Sequence, residues 1–296
     1  MNVGFVGVGK MGVHMARNVM AAGYDLVIHD SSKEAAAPLL EKGATWAGSP
    51  AEVGKTCRLV ITMLPTPLIV EEVALGPSGL KATWQAGDIY VDMSTNSPSV
   101  VRKIAEEAAK QGVKMLDSPV SGGTGGADAG TLTLMVGGDA AVLEQVRPVL
   151  ETMSKNIFHL GDVGCGNIAK LVNNMVGLTC ISACAEGMAL GARAGIDPRA
   201  LYELMTVSTA DNWSLRQYPN TVLKRNFAPG FKISLAHKDI NLALGLGEEL
   251  GVPLDVAKAV KNDLAAALAN GHGDKNVDAV ILSREESTGV TVQGAE

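Results

Sequence analysis

The sequence predicts two domains: an α/β domain doubly wound on a parallel sheet, then an all-α domain, the two joined by a long helix. Three observations carry this reading. Up to about residue 160, short apolar runs alternate with helical patterns, as in crossover units that cover both faces of a parallel sheet. A glycine-rich turn follows the first apolar run directly. After Gly161 only helical patterns remain, so the expected domains are residues 1–161 and 162–296. At about 100–200 residues per domain, the length is sufficient for two cores.

Val3–Val8 is the first expected strand, an apolar run suited to a sheet buried on both faces. Gly7, Gly9 and Gly12 then spell G-x-G-x-x-G, and an amphipathic stretch follows with Met11, Met15, Val19 and Met20. The first glycine allows the tight turn. The second lets the backbone approach a pyrophosphate, and the third lets helix and strand pack closely. The anion would rest on N–H groups at a helix N-terminus. Asp30 ends the next strand, Leu26–His29, near the offset of about 20 residues expected of a ribose-binding carboxylate. Gly7, Val8, Gly9, Lys10, Met11, Gly12 and Asp30 are therefore candidate dinucleotide ligands, with NAD the expected cofactor. Gly4, Gly9 and Lys10 also spell the start of a P-loop. Met11, however, stands where magnesium needs Ser or Thr, and Gly4 would have to leave the strand.

Leu59–Leu64, Ile89–Asp92, Val113–Leu116, Leu132–Val136 and Ile157–Leu160 are the later strand candidates, and Val100–Gln111 and Ala140–Met153 read as helices between them. Cys165–Arg193 is one helix-compatible stretch without proline. The turns Gly195-Ile196-Asp197-Pro198 and Gly251-Val252-Pro253 then punctuate the helical region, and the small, polar tail after Ser287 is expected to be loose.

Bulk composition narrows the function. A net charge of −6 without a basic run argues against nucleic acid. Cys57, Cys165, Cys180 and Cys184 show no framework spacing and no histidine completes a metal set, so small buried thiols and no metal are expected. Leu171 to Ala185 is uncharged but only fifteen residues long, short for a membrane span. With no basic leader pattern either, a cytoplasmic protein without membrane partners is expected.

A nicotinamide enzyme acting on an alcohol needs a group to move the hydroxyl proton while hydride leaves carbon. No tyrosine is followed four residues later by lysine, and no His/Cys set points to catalytic zinc. Lys170 is the only charge between Asp162 and Glu186, and Asn174 shares its helix face. In apolar surroundings a lysine loses hydration and its pKa falls from about 10.4. The alternative is a lysine whose stem packs while its ammonium reaches water; spacing alone leaves both open. Asp117 to Gly123 follows an expected strand at its carboxyl end, where ligands of open sheets sit. Ser121 offers a hydroxyl, and Gly122 and Gly123 offer N–H groups, to a carboxylate; the other reading is an ordinary glycine turn. Met93-Ser94-Thr95 could face the cofactor or cap the helix near Pro98. Leu64-Pro65 could close over the adenosine side. Lys238-Asp239 reads either as a surface salt link or as a cofactor contact.

These segments, in this order, resemble the β-hydroxyacid dehydrogenase family. That family includes 3-hydroxyisobutyrate dehydrogenases, tartronate semialdehyde reductases and glyoxylate/succinic semialdehyde reductases. The resemblance rests on Gly7 to Gly12, Asp117 to Gly123, Gly130-Thr131-Leu132 running to Gly137-Gly138, Gly164 to Asn174, and Lys238-Asp239. It implies a Rossmann domain followed by a C-terminal domain like that of 6-phosphogluconate dehydrogenase, with homodimers or homotetramers formed through the helical part. It implies Lys170 as catalytic acid/base and Asn174 as the residue orienting Lys170 or the substrate. Ser121, Gly122 and Gly123 would grip the substrate carboxylate. Thr95 and Lys238 would lie by the nicotinamide end of the cofactor. Related imine reductases commonly lack the lysine, so Lys170 points to carbonyl and alcohol substrates.

The implied reaction is hydride transfer between NAD and a small β-hydroxy acid or semialdehyde. Asp30 favours NAD by repelling a 2′-phosphate, while Lys33 leaves NADP open. The alternatives are an NADPH-dependent glyoxylate or succinic semialdehyde reductase and a non-catalytic dinucleotide-binding protein. Substrate choice is expected within residues 206–231, where Trp213, Arg216, Arg225 and Phe227 stand out. Arg225 to Phe231 is closest to the tartronate semialdehyde reductase pattern.

Overall fold

Six parallel strands carry the N-terminal unit: β1 (Asn2–Val6), β2 (Asp25–His29), β3 (Thr45–Trp46), β4 (Leu59–Thr62), β5 (Ile89–Asp92) and β6 (Lys114–Asp117). Their order, β3-β2-β1-β4-β5-β6, reverses direction at β1. The structure is a computed structural model and describes residues 2–294. It divides into two units, Met1–Lys170 and Leu171–Glu296.

Helices cover the sheet on both faces, which is why β1 is apolar and buried from Val3 onward. Val3 and Phe5 join a core with Met15, Ala16 and Val19 of α1 (Gly12–Ala21), while Val6 joins a separate core. That second core holds Val53 of α3 (Pro50–Thr56), Val70 of α4 (Pro67–Leu75) and Ile104 of α5 (Pro98–Ala109). The remaining helix of this part is α2 (Lys33–Leu40), capped by the Ser32 hydroxyl.

One expectation needs correcting. Leu132–Val136 and Ile157–Leu160 do not extend the parallel sheet. They fall in β8 (Leu132–Val136) and β9 (Ser154–His159), which form a separate three-stranded sheet with β7 (Val120–Ser121). β7 runs antiparallel to β8, and β8 parallel to β9. Ser118-Pro119 separates β6 from β7, and proline has no N–H to continue the main ladder. The two sheets meet at one bridge, where Asp117 and Gly137 exchange backbone hydrogen bonds of 3.0 and 2.8 Å. Between these strands lie α6 (Gly123–Ala129) and α7 (Ala140–Leu150).

The helix α8 (Cys165–Arg193) crosses the boundary between the units. It has 29 residues, and its most apolar 18-residue window reaches a mean hydropathy of 1.5, so by length and composition it would suit a membrane span and exceeds the fifteen-residue stretch considered above. Leu171, Leu178, Ile181, Ala185 and Met188 are buried within the protein, while Val172, Val176 and Leu190 are exposed. In the C-terminal unit α9 (Pro198–Thr206), α10 (Ile233–Leu250), α11 (Asp255–Ala269) and α12 (Val280–Thr288) surround a core that includes Tyr218, Val222, Ile240 and Leu264.

The tail is not loose as far as residue 294. Val292 is fully buried, its N–H donates to Glu285 at 2.7 Å, and the Gly294 N–H donates to the Leu223 carbonyl at 3.1 Å. Glu285 also receives both terminal nitrogens of Arg225, at 2.6 and 2.8 Å. This clamp holds Arg225 at φ 54°, a left-handed conformation unusual for a non-glycine residue. Residues 295 and 296 of the expected tail lie outside the described residues.

Candidate active site

The glycine turn after β1 shows two distinct uses of a missing side chain. At Gly7 (φ 92°) and Gly12 the protein itself needs the space: an added Cβ would lie 2.4 Å from the Met63 carbonyl oxygen and 1.9 Å from that of Gly7. Around a Cβ at Gly9 there is open space. No protein atom demands glycine there, so the position leaves room for a molecule approaching the backbone, as a pyrophosphate does. No side chain caps α1 and no acid sits in its first turn, which leaves a positive helix end facing that space. Asp30 lies beside the turn, accepting from Val8 N–H at 2.8 Å and Ser32 N–H at 2.9 Å. The residues fit a dinucleotide: the turn for its phosphates and the Asp30 carboxylate for a ribose hydroxyl.

Further along the carboxyl ends of the strands, Ser94 is fully buried and its hydroxyl accepts from Leu64 N–H at 2.8 Å. It therefore pins the Leu64-Pro65 turn and does not cap α5, whose N-cap residue Ser97 makes no side-chain capping bond. Thr95 is half-buried. Asp92 is fully buried and accepts from Thr62 Oγ1 at 2.8 Å, Ser94 N–H at 3.1 Å and Asn96 Nδ2 at 3.2 Å. Burial pushes its pKa up against the pull of these donors. Ser121 is half-buried, and Gly122 and Gly123 are exposed with φ of 133° and 61°. A Cβ at Gly123 would again meet open space.

The start of α8 is set by Asp117, the last residue of β6. Its Oδ1 accepts from Gly164 N–H and its Oδ2 from Asn167 N–H, both at 2.7 Å. A carboxylate from elsewhere in the chain thus satisfies N–H groups that a helix start leaves unpaired. The packing is tight: a Cβ at Gly166 would come within 2.3 Å of the Met135 carbonyl oxygen. Burial dominates the donors here and lifts the Asp117 pKa from 3.8 to about 6. Lys170 lies one turn beyond and is buried, with 9% of its surface exposed. Packing thus withdraws most of this lysine from solvent.

In the C-terminal unit Asn174, one turn further along α8, donates through Nδ2 to Asp239 Oδ2 at 2.6 Å. Lys238 Nζ lies 2.8 Å from Asp239 Oδ1. That contact is ionic but misses hydrogen-bond alignment, since Oδ1 has no hydrogen-bond partner by angle. Asp239 is 3% exposed, so Lys238-Asp239 is not a surface pair. Arg216 forms an exposed ion pair with Asp211, Arg225 is committed to Glu285, and Trp213 is exposed. Among the described residues no cluster of His, Cys, Asp and Glu could hold a metal.

Asp117, Asn167 and Ser94 were not singled out individually from the sequence. Their partners lie 30 to 71 residues away, so local spacing gives no sign of the contacts. The available clue was that Asp92 and Asp117 both follow apolar runs at the carboxyl ends of neighbouring strands.

Comparison with known proteins adds the following. Residues 2–161 match the model for the NAD binding domain of 6-phosphogluconate dehydrogenase. Residues 164–283 match the model for the NAD-binding domain of NADP-dependent 3-hydroxyisobutyrate dehydrogenase. The chain is 38% identical to 2-(hydroxymethyl)glutarate dehydrogenase of Eubacterium barkeri, over 99% of this chain and 98% of that one. It is 41% identical to the NAD-dependent L-serine dehydrogenase of Pseudomonas aeruginosa, over 81% and 83%. A solved structure of Mycobacterium tuberculosis 3-hydroxyisobutyrate dehydrogenase with L-serine superposes with a TM-score of 0.88 at 32% identity, covering 95% of this chain and 98% of that one.

Proposed function

The chain belongs to the β-hydroxyacid dehydrogenase family, and from that premise we propose that Lys170 is the acid/base of a hydride transfer between NAD and a small β-hydroxy acid. The observation that carries this reading is a lysine withdrawn from solvent, one turn into a helix whose start is clamped to the carboxyl end of β6. Residues 1–161 act as the dinucleotide-binding domain and 162–296 as the substrate and association domain.

The relatives' substrates share one skeleton. 2-(Hydroxymethyl)glutarate, L-serine and 3-hydroxyisobutyrate each carry a CH2OH group on the carbon that bears the carboxylate, and differ in the third substituent. We take that skeleton as the substrate class. The Ser121 hydroxyl and the Gly122 and Gly123 N–H groups hold the carboxylate. Lys170, as the neutral amine, accepts the hydroxyl proton while the carbon–oxygen bond becomes a carbonyl; in the reverse direction its ammonium returns the proton. Asn174, its amide held by Asp239, orients Lys170 or the substrate hydroxyl. When bound, NAD supplies the hydride acceptor. Gly7, Val8, Gly9, Lys10, Met11 and Gly12 would hold its phosphates and Asp30 its adenosine ribose. Leu64, Pro65, Thr95 and Lys238 would complete its binding. Asp30 disfavours the 2′-phosphate of NADP.

We take the protein to be a cytoplasmic homodimer or homotetramer. Replacing Lys170 with Ala should lower kcat by about 10²–10⁴ while NAD affinity is kept. Near-normal turnover in that variant would end the assignment. Running the parent with both cofactors tests the preference, and a higher kcat/KM with NADP would overturn the Asp30 argument.

A further inference from the structure

Asn167 has no part in the chemistry above, yet it is fully buried in the first turn of α8. Its Oδ1 accepts from Asn96 N–H at 2.7 Å. Its Nδ2 donates to Asp117 Oδ2 at 3.2 Å, and its own N–H donates to the same oxygen at 2.7 Å. Asn96 is held in turn by Asp92. One side chain thus ties together three segments. Asn96 follows Thr95, and Asp117 leads into Ser121, Gly122 and Gly123. Asn167 precedes Lys170 by three residues, on the same side of the helix. Filling space alone would not call for an amide here, because burying polar groups costs free energy that an apolar side chain of similar size avoids. What hydrogen bonds add is direction.

We propose that Asn167, backed by Asp117, is a positioning residue for the hydride transfer: it sets the register of the Lys170 helix against the loops that carry Thr95 and Ser121. The proposal rests on the acid/base reading of Lys170. Its scale follows from the general sensitivity of such sites, where a misplacement of about 1 Å costs about 10²-fold in rate.

The test uses Asn167→Ala, Asn167→Ser, Lys170→Ala and the double variant Asn167→Ala/Lys170→Ala, each assayed at saturating NAD and normalised to sites that bind NADH. Asn167→Ala should lower kcat by about 10- to 100-fold, with KM and NADH affinity within about threefold. The isotope effect from deuterium on the hydroxyl-bearing carbon should rise as chemistry slows. Added to Lys170→Ala, the Asn167 change should cost nothing further, because the group it positions is gone. A structural role alone would lower the melting temperature and the number of binding sites, but not kcat per site or the isotope effect.

Retained kcat per site, or an additive loss in the double variant, overturns the proposal. If Asn167→Ala fails to fold, Asn167→Ser carries the same comparisons, since a single short hydroxyl cannot bridge Asn96 N–H and Asp117 Oδ2 as the amide does. Normal turnover in Lys170→Ala alone would remove the acid/base reading. A dead Lys170→Ala beside fully active Asn167 variants would remove only the positioning role.

Discussion

Gly9 and Gly12 are three residues apart and are glycine for different reasons. Gly12→Ala drives a methyl group into the Gly7 carbonyl and should cost about 1–3 kcal/mol of stability, the usual range for overpacking. Gly9→Ala should leave the unfolding midpoint unchanged and weaken NAD binding by about tenfold or more, about 1.4 kcal/mol. Unchanged NAD affinity in Gly9→Ala would show that no phosphate approaches that backbone. Asp117 gives a pH test. Its carboxyl is raised from 3.8 to about 6 in the fold, so it holds its proton more tightly folded than unfolded. Its contribution to stability is therefore full below the unfolded value and is lost as pH rises through about 6. Against Asp117→Asn, the parent should gain up to about 3 kcal/mol on going from pH 7 to pH 4. Urea denaturation across that range measures the difference, and parallel curves for the two proteins would refute the raised pKa.

Among the elements, the clamp between Arg225, Glu285 and the Val292 segment carries the sharpest stability prediction. Arg225→Ala leaves a nearly buried carboxylate without its partner, which should cost about 3 kcal/mol, the lower end of the range for a broken buried pair. Adding Glu285→Gln should recover part of that loss. A cost under about 1 kcal/mol in urea titration would mean the pair contributes little to holding the tail. Strands β1, β2, β4 and β5 and the helix α8 were legible because each is a continuous apolar run or an unbroken helical pattern. β3 and β7 were not, since two residues carry no periodicity. Nor was α6, whose Gly-Thr-Gly-Gly start has poor helix propensity and is held by the surrounding structure. The composition of β8 and β9 showed that they are strands but not which strands they pair with, and the tail read as loose because its anchors, the buried Val292 and backbone hydrogen bonds to Glu285 and Leu223, leave no periodic pattern.

For the molecule as a whole, the two units each have a core of their own, and the residues that the sequence assigned to chemistry fall in both. Lys170, Ser121 and the glycine turn could be proposed from the sequence because each lies in a run of adjacent residues, although spacing alone left Lys170 and Ser121 open between a functional and a structural role. The buried Asp92–Asn96–Asn167–Asp117 network was invisible because only folding brings its members together. The C-terminal unit exposes Val172, Val176 and Leu190 along α8, and Leu204, Val207 and Trp213 near α9. Apolar surface on this scale favours association. Sedimentation velocity should find an oligomer at micromolar concentration, and Val172→Lys with Val176→Lys should shift it toward monomer. A parent protein that sediments as a monomer would refute this. The outer strands of the main sheet have a different consequence. β3 is two residues long and soon gives way to the proline-started α3, while the far end of β6 is occupied by Gly137. Little unpaired backbone is left to template fibril growth, so variants that loosen the N-terminal unit should be cleared by proteases rather than accumulate as amyloid.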